Sequence, residues 1–419
     1  MHKPPSKNPL NHLRASDLRG IAQLATDATT GVARIAEGVH QSVWDSLGVA
    51  GRAPGQTGGI TGFVYQAVHG VAQLLGKGAD TLLAALQTLL ESKERDAAGT
   101  PQREAVLAVL NGVMGDRLVA SHNPLATPMS LRYQGEALNC EALPAGLKPK
   151  LLLLIHGLCM NDLQWHTQRL GTDVDHGALL ASALGYTPVY LRYNSGLHVS
   201  QNGHELSRQL EQLIAHWPLP LEEVSVLAHS MGGLLIRSAV HVARQQDLRW
   251  SKRLKNIVFL GTPHHGAPLE RAGHWIDTIL GGTRFTAPLA QLGKLRSAGV
   301  TDLRYGHVLD ADWQGHDRFQ RRPDMRVPLP LPEGIACFTV AATLAAKRSA
   351  IADRLIGDGL VPLRSALGQH DEAQRCLLFA KDAHWIAYRT GHVELLSRPE
   401  VAQQVLHWLA PVAELKDRC

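Results

Sequence analysis

The 419-residue chain has few cysteines, little excess charge and no apolar run at its start, and each shortage removes a class of protein. Its five cysteines, Cys140, Cys159, Cys337, Cys376 and Cys419, lie far apart, are odd in number and form no CxxC pair. That argues against a disulfide framework or a zinc knuckle and leaves buried or incidental thiols. The formal net charge of +5 comes from basic residues scattered along the chain rather than gathered in blocks, so nucleic acid is not an expected partner. The opening Met1-His-Lys-Pro-Pro-Ser-Lys leads into polar sequence with no apolar core or small-residue cleavage site. No secretory signal is expected, and a reducing, cytoplasmic setting is the simplest reading. What is present is ordinary globular composition, 45% hydrophobic and 19% charged, in a chain long enough for one large core plus an appended segment.

Residues 1–120 read as a helical N-terminal extension. Ile21, Leu24, Ala28, Val32, Ile35, Val39 and Val43 recur at helical spacing behind Ser16, a plausible N-cap, and a second helical run carries Phe63, Val64, Val68, Val71 and Leu75, then Leu82, Leu86 and Leu90. Between Arg52 and Lys77 no Asp, Glu, Lys or Arg occurs, yet Gln56, Gln66, His69, Gln73 and several glycines make the stretch too polar for a membrane span. The expectation is helices that pack on the rest of the chain; self-association or peripheral membrane contact stays open.

From about residue 128 short apolar runs alternate with helical spacing. The runs fall at 151–155, 188–191, 224–228, 257–260, 337–341 and 376–380, and a helical stretch such as Leu206, Leu210, Leu213 and Ile214 lies between two of them. That alternation predicts an α/β fold with a mostly parallel sheet flanked by helices, over 121–412, followed by a tail at 413–419. In such sheets the chemistry gathers at the carboxyl ends of the strands.

One of those strand ends is chemically specific. Residues 226–233 read Val-Leu-Ala-His-Ser-Met-Gly-Gly, an apolar strand running into a small-x-Ser-x-Gly turn and then a helix, Gly233-Leu-Leu-Ile-Arg-Ser-Ala-Val240. A nucleophile on so sharp a turn needs small residues two before and two after it, and Ala228 and Gly232 supply them for Ser230. Leu151-Leu-Leu-Leu-Ile-His-Gly157 ends a second strand on a Gly, so the amides of Leu158 and Met231 are the expected oxyanion hole, with His156 an orienting loop residue rather than a base. For the acid, Ile356-Gly-Asp-Gly-Leu-Val-Pro362 sets Asp358 between glycines in a loop; Asp353 is the weaker alternative. For the base, His392 follows Thr390-Gly391 in a loop context and is favoured over His384, whose apolar surroundings suit a packed histidine.

The order Ser230, Asp358, His392, with His156-Gly157 after the first long strand and Gly261-Thr-Pro-His264 after the strand that follows the serine, resembles the α/β-hydrolase superfamily, in its lipase and esterase branch of glycosylphosphatidylinositol inositol-deacylase-like hydrolases. The stretches Leu191-Arg-Tyr-Asn-Ser-Gly196 and Gln201-Asn202-Gly203 are similar to that branch too; Ala228, where the commonest elbow has Gly, departs from it and is sterically tolerable. The resemblance covers about residues 128–412. It implies a carboxylic ester hydrolase in which Ser230 attacks a carbonyl carbon, His392 shuttles the proton, Asp358 holds the imidazole tautomer, and water releases the acyl group. Acyl transfer, thioester cleavage and a non-catalytic scaffold binding through the N-terminal helices are the alternatives. No metal or organic cofactor is implied; the adjacent His264-His265 pair lacks a third ligand at useful spacing. The 266–335 stretch is long for a strand connection and reads as a helical cap, which suits an acyl ester or lipid-like small-molecule substrate.

Overall fold

The computed structural model describes residues 16, 17, 19, 20, 23, 101–169, 172–268, 296–316, 324–346 and 357–410. The helices expected at 21–43, save Gln23, and at 63–90, the 269–295 and 317–323 parts of the expected cap and the tail at 413–419 lie outside the described residues. Two compact units divide the chain: Met1–Arg103 with Leu118–Ala126, and Glu104–Arg117 with Thr127–Cys419. In the first, Arg103 pairs with Asp17 at 2.7 Å, the Asn123 side chain donates to the Gly20 carbonyl at 3.1 Å, and Gln23 donates to the Ser121 carbonyl at 2.8 Å.

The second unit is built on a sheet. Its strands are β1 (Ser130–Tyr133), β2 (Glu136–Ala137), β3 (Lys150–Ile155), β6 (Tyr186–Arg192), β7 (Glu223–His229), β8 (Leu254–Leu260), β9 (Ala336–Thr343) and β10 (His384–Tyr388), with a separate hairpin of β4 (His166–Arg169) and β5 (Thr172–Asp175). The order across the sheet is β2-β1-β6-β3-β7-β8-β9-β10, antiparallel at β2-β1-β6 and parallel from β6 to β10. Strand β3 explains the arrangement: Leu151, Leu152, Leu153, Leu154 and Ile155 are all fully buried, because a parallel strand covered on both faces must be apolar throughout. Successive side chains alternate between two cores, Leu152 and Leu154 in one, Leu151, Leu153 and Ile155 in the other.

Helices fill both faces. On one, α2 (His176–Leu184) contributes Leu180 and α8 (Pro399–Leu409) contributes Val401 and Val405. On the other lie α3 (Val199–Ala215), through Leu206, Leu210 and Leu213, and α4 (Met231–Gln245), through Leu235, Ile236 and Ala239. Helices α3 and α4 touch so closely that a Cβ on Gly203 would sit 2.3 Å from Ser238 Oγ. Helix α1 (Pro101–Ala120) sends its 104–117 stretch into this unit: a Cβ on Gly112 would lie 2.2 Å from Cys159 Sγ, and one on Gly196 2.1 Å from the Asn111 carbonyl oxygen. Within the expected cap, α6 (Ala298–Tyr305) is fixed by buried Asp302, whose carboxylate accepts from the Val199 amide at 2.8 Å and faces His198 and His307 at 3.0 and 3.1 Å.

One expected strand is misplaced: 376–380 is irregular, and the strand beside β9 is β10, His384–Tyr388. Cys159 and Cys337 are buried thiols and Cys140 and Cys376 half-buried ones. No helix among the described residues is long and apolar enough to cross a membrane.

Candidate active site

Strand β3 is followed in the chain by β6 on one side of it and later by β7 on the other. The loops leaving β3 and β7 therefore part company at the carboxyl end of the sheet, the usual place for a ligand in an open α/β sheet. Ser230 stands there, between β7 and α4, with φ 54° and ψ −123°. A non-glycine residue at positive φ is strained and persists only where its surroundings hold it. The surroundings do: the Ser230 amide donates to the Leu260 carbonyl of β8 at 2.8 Å, and its carbonyl accepts from the Gly233 amide at 3.0 Å. The demand for small neighbours is visible at Gly232, where a Cβ would lie 2.6 Å from the Ile155 carbonyl oxygen and 2.8 Å from that of His156. Ala228 is accommodated, fully buried, in β7.

His392 and Asp358 meet. His392 Nδ1 donates to Asp358 Oδ2 at 2.7 Å, in surroundings that leave the two residues 2% and 1% exposed. Asp358 is itself immobilised, because its Oδ1 accepts the amides of Leu360 at 3.0 Å and Val361 at 2.8 Å. The flanking Gly357 and Gly359 both take positive φ, 46° and 96°, which lets the loop double back beneath the carboxylate. Gly261, next in chain to the residue that holds the Ser230 amide, lies against the His392 ring, where a Cβ would be 3.3 Å from both Cε1 and Nδ1. The histidine–aspartate pair thus lies against Gly261 at the end of β8, and Ser230 is held by the Leu260 carbonyl beside it.

A further member of this cluster escaped the sequence reading. His229, immediately before the serine, places Nε2 3.2 Å from the His392 carbonyl oxygen, and since a carbonyl can only accept, Nε2 carries the proton. Its Nδ1 is buried without a partner, and burial first, then the neighbouring His392, holds its pKa well below the ordinary value. The imidazole is neutral. The signal was its place as the last residue of a buried strand, where a polar side chain needs a reason.

The loop after β3 is ordered by His156. Its Nδ1 contacts the Gly157 carbonyl oxygen at 2.8 Å and its Nε2 accepts the Tyr193 amide at 3.3 Å, so Nδ1 is the protonated nitrogen. The ring stacks on Tyr193 at 4.3 Å, and burial lowers its pKa to about 4. Because the Gly157 carbonyl and the Leu158 N–H belong to one planar peptide, fixing the first fixes the direction of the second. Cys159 follows at φ 58°, its amide donating to Ser195 Oγ at 3.0 Å, while burial raises its thiol pKa. A Cβ on Gly157 would stand 3.0 Å from Ser230 Cβ, so this loop lies directly against the elbow. Met231 opens α4, and an amide in the first turn has no acceptor within its helix.

Other candidates fall elsewhere. His384 is exposed at the start of β10, in register with Thr339, rather than packed. Asp353 lies outside the described residues. His264 is buried with its ring edge-on to Phe259 at 4.8 Å, and His265 faces His370 at 4.9 Å; among the described residues no group of three or more His, Cys, Asp or Glu is arranged to hold a metal.

Several known proteins are similar. A Bacillus licheniformis lipase in its mature form aligns with a TM-score of 0.40 at 17% identity, covering 68% of this chain and 98% of that one. An Aspergillus fumigatus lipase aligns at 0.38 and 11% identity over 93% and 83% of the two chains, and a Pyrobaculum calidifontis esterase at 0.36 and 14% over 64% and 76%. No curated protein sequence matches. Residues 147–325 match the family model described as the PGAP1-like alpha/beta domain, a stretch that runs from the start of the buried parallel strands through the Ser230 elbow. The strand order and the elbow are those of an α/β-hydrolase fold, and its 147–325 segment is similar to the PGAP1-like alpha/beta domain.

Proposed function

We propose that the chain is a serine hydrolase of carboxylic esters. The observation that carries the reading is the occurrence, at one end of the sheet, of a strained serine and a buried histidine–aspartate pair whose Nδ1–Oδ2 distance is 2.7 Å. In this reading Ser230 Oγ attacks the ester carbonyl carbon while His392 Nε2 takes its proton. Asp358 keeps Nδ1 protonated and stabilises the imidazolium. The oxyanion is held by the amides of Leu158 and Met231, the first aimed by His156 through the Gly157 peptide, the second at the positive end of α4. His392 then gives its proton to the leaving alcohol. A water molecule, deprotonated by the same imidazole, hydrolyses the acyl-serine and restores the enzyme.

The substrate proposed is an acyl ester of a small, lipid-like molecule. The test has two arms. A fluorophosphonate probe should label the protein once, with Ser230→Ala unlabelled, and p-nitrophenyl esters of increasing acyl length should be turned over by wild type alone. Absence of labelling in folded wild type would sink the hydrolase and leave a scaffold; labelling with turnover of thioesters but not oxygen esters would move the substrate class.

A further inference from the structure

Outside the Ser230 site, the group in most need of explanation is Arg237, two turns along the helix that begins after the serine. It is 6% exposed, and its guanidinium donates from Nη2 to the Leu329 carbonyl at 2.6 Å. Its Nε is buried without a partner, and among the described residues no carboxylate lies within ion-pair distance of it. Burial first, and then the charge of Arg326, pushes its pKa down to about 10, so it is still a cation at neutral pH. A buried charge is ordinarily paired, because stripping it of water costs several kcal/mol.

Arg237 lines a cavity of about 20 Å³ together with His264, Asp312, Arg326 and Arg375. Three arginines and one carboxylate belong to that lining, and Asp324 and Glu372 pair with two of the arginines from outside it. Arg326 and Arg375 are turned toward Asp324, at 2.6 and 3.5 Å, a residue that does not line the cavity. Asp312 spends its oxygens on backbone: Oδ2 accepts the amides of Val308 and Leu309 at 2.8 and 2.9 Å, and Oδ1 that of Val327 at 3.1 Å. His264, 1% exposed, has both ring nitrogens buried without partners, and burial keeps it neutral, with one N–H to give. The hollow therefore offers the unpaired Arg237 Nε–H, one His264 N–H and room for a water-sized body.

We propose that this cavity binds a single monatomic anion, of the chloride or bromide class, which accepts the Arg237 Nε–H and the His264 N–H. The ion would join the serine-bearing helix and the Gly261-Thr-Pro-His264 turn to the 306–312 and 326–329 segments. Its effect is on stability, and it is independent of what Ser230 does.

The test uses the full chain. Thermal unfolding at fixed ionic strength, with gluconate replaced stepwise by chloride or bromide, should raise Tm saturably by about 2 °C or more. Arg237→Met should lose that response. Bromide-soaked wild-type crystals should show an anomalous peak between Arg237 Nε and the His264 ring, which decides the matter if Arg237→Met does not fold. A wild-type Tm indifferent to halide, a halide response that survives in Arg237→Met, or a cavity occupied by water with no anomalous signal overturns the proposal.

Discussion

His392 is bound to Asp358 twice: its ring Nδ1 donates to Oδ2 at 2.7 Å, and its backbone amide donates to the Asp358 carbonyl at 3.1 Å. Asp358 therefore sets both where the His392 ring sits and which of its nitrogens carries the proton. Ser230→Ala, Asp358→Asn and His392→Ala are each expected to lower ester turnover on the order of a thousandfold or more while the protein stays folded. The losses should not add, since residues acting as a unit fail together. Double variants compared with single ones check this, and near-full activity in His392→Ala with loss in His384→Ala would show the base to be the other histidine.

Gly232→Ala puts a methyl group against two backbone carbonyls, those of Ile155 and His156, with no flexible side chain to yield. The loop after β3 or the start of α4 must move. Loss of stability of about 1–3 kcal/mol and a fall in kcat larger than that stability loss explains are expected, read by urea unfolding and steady-state kinetics on one preparation.

His229 anchors the carbonyl of the base rather than touching substrate in the proposed chemistry. His229→Phe keeps a ring and loses the donor, so kcat should drop on the order of tenfold with KM little changed. His229→Gln, which restores an N–H, should recover part of the loss. Equal kcat in all three proteins would leave the hydrogen bond without a role.

His156 has a pKa of about 4 in the folded protein against an ordinary value near 6.5, so between those limits the unfolded chain binds the extra proton. Its neutral burial contributes fully above about pH 6.5 and is lost as pH falls toward 4, a span worth roughly 3 kcal/mol. His176, also lowered to about 4 chiefly by burial, adds in the same direction. Denaturant titrations from pH 7.5 to 4.5 should show stability falling, and His156→Gln should remove about 1.4 kcal/mol per pH unit of that slope in the window.

Residues 104–117 sit beside Cys159 and the 194–196 turn, next to the loop that would aim the Leu158 amide in the proposed chemistry. Ser297 Oγ also donates to the Gly112 carbonyl at 2.6 Å. A chain starting at Pro101 should therefore keep its probe-reactive serine, whereas one starting at Ser121, although it holds every proposed active-site residue, should label far more slowly. Equal labelling rates in the two would show that the helix is dispensable.

Burial made most of this fold legible. The runs at 151–155, 224–228 and 257–260 are apolar because both faces of β3, β7 and β8 are covered, and a strand of that kind leaves its mark on sequence directly. Strand β10 left none: its residues range from exposed His384 to buried Ala387, while 376–380 imitates a strand because Leu377 is buried and Phe379 packs beneath His264. The short β1-β2 hairpin was invisible for the same reason, with both residues of β2 exposed. Ser230, Asp358 and His392 could be picked out because each sits beside glycines or small residues that a sharp loop requires. His229 and Arg237 could not, because what sets them apart is the partner found or missing in space.

Among the described residues strand β10, five residues long, lies at the border of the sheet with one hydrogen-bonded neighbour, and His392 comes four residues after it. Ser230, by contrast, leaves a strand enclosed by neighbours on both sides. Opening of a border element costs less than global unfolding, so in the proposed chemistry the base His392 follows the more easily detached margin and the nucleophile Ser230 the persistent centre. Warming should silence the catalyst while circular dichroism still reports a native sheet, and amide protons of 384–392 should exchange ahead of those of 224–230. The ceiling on this protein's working temperature is then set by its rim.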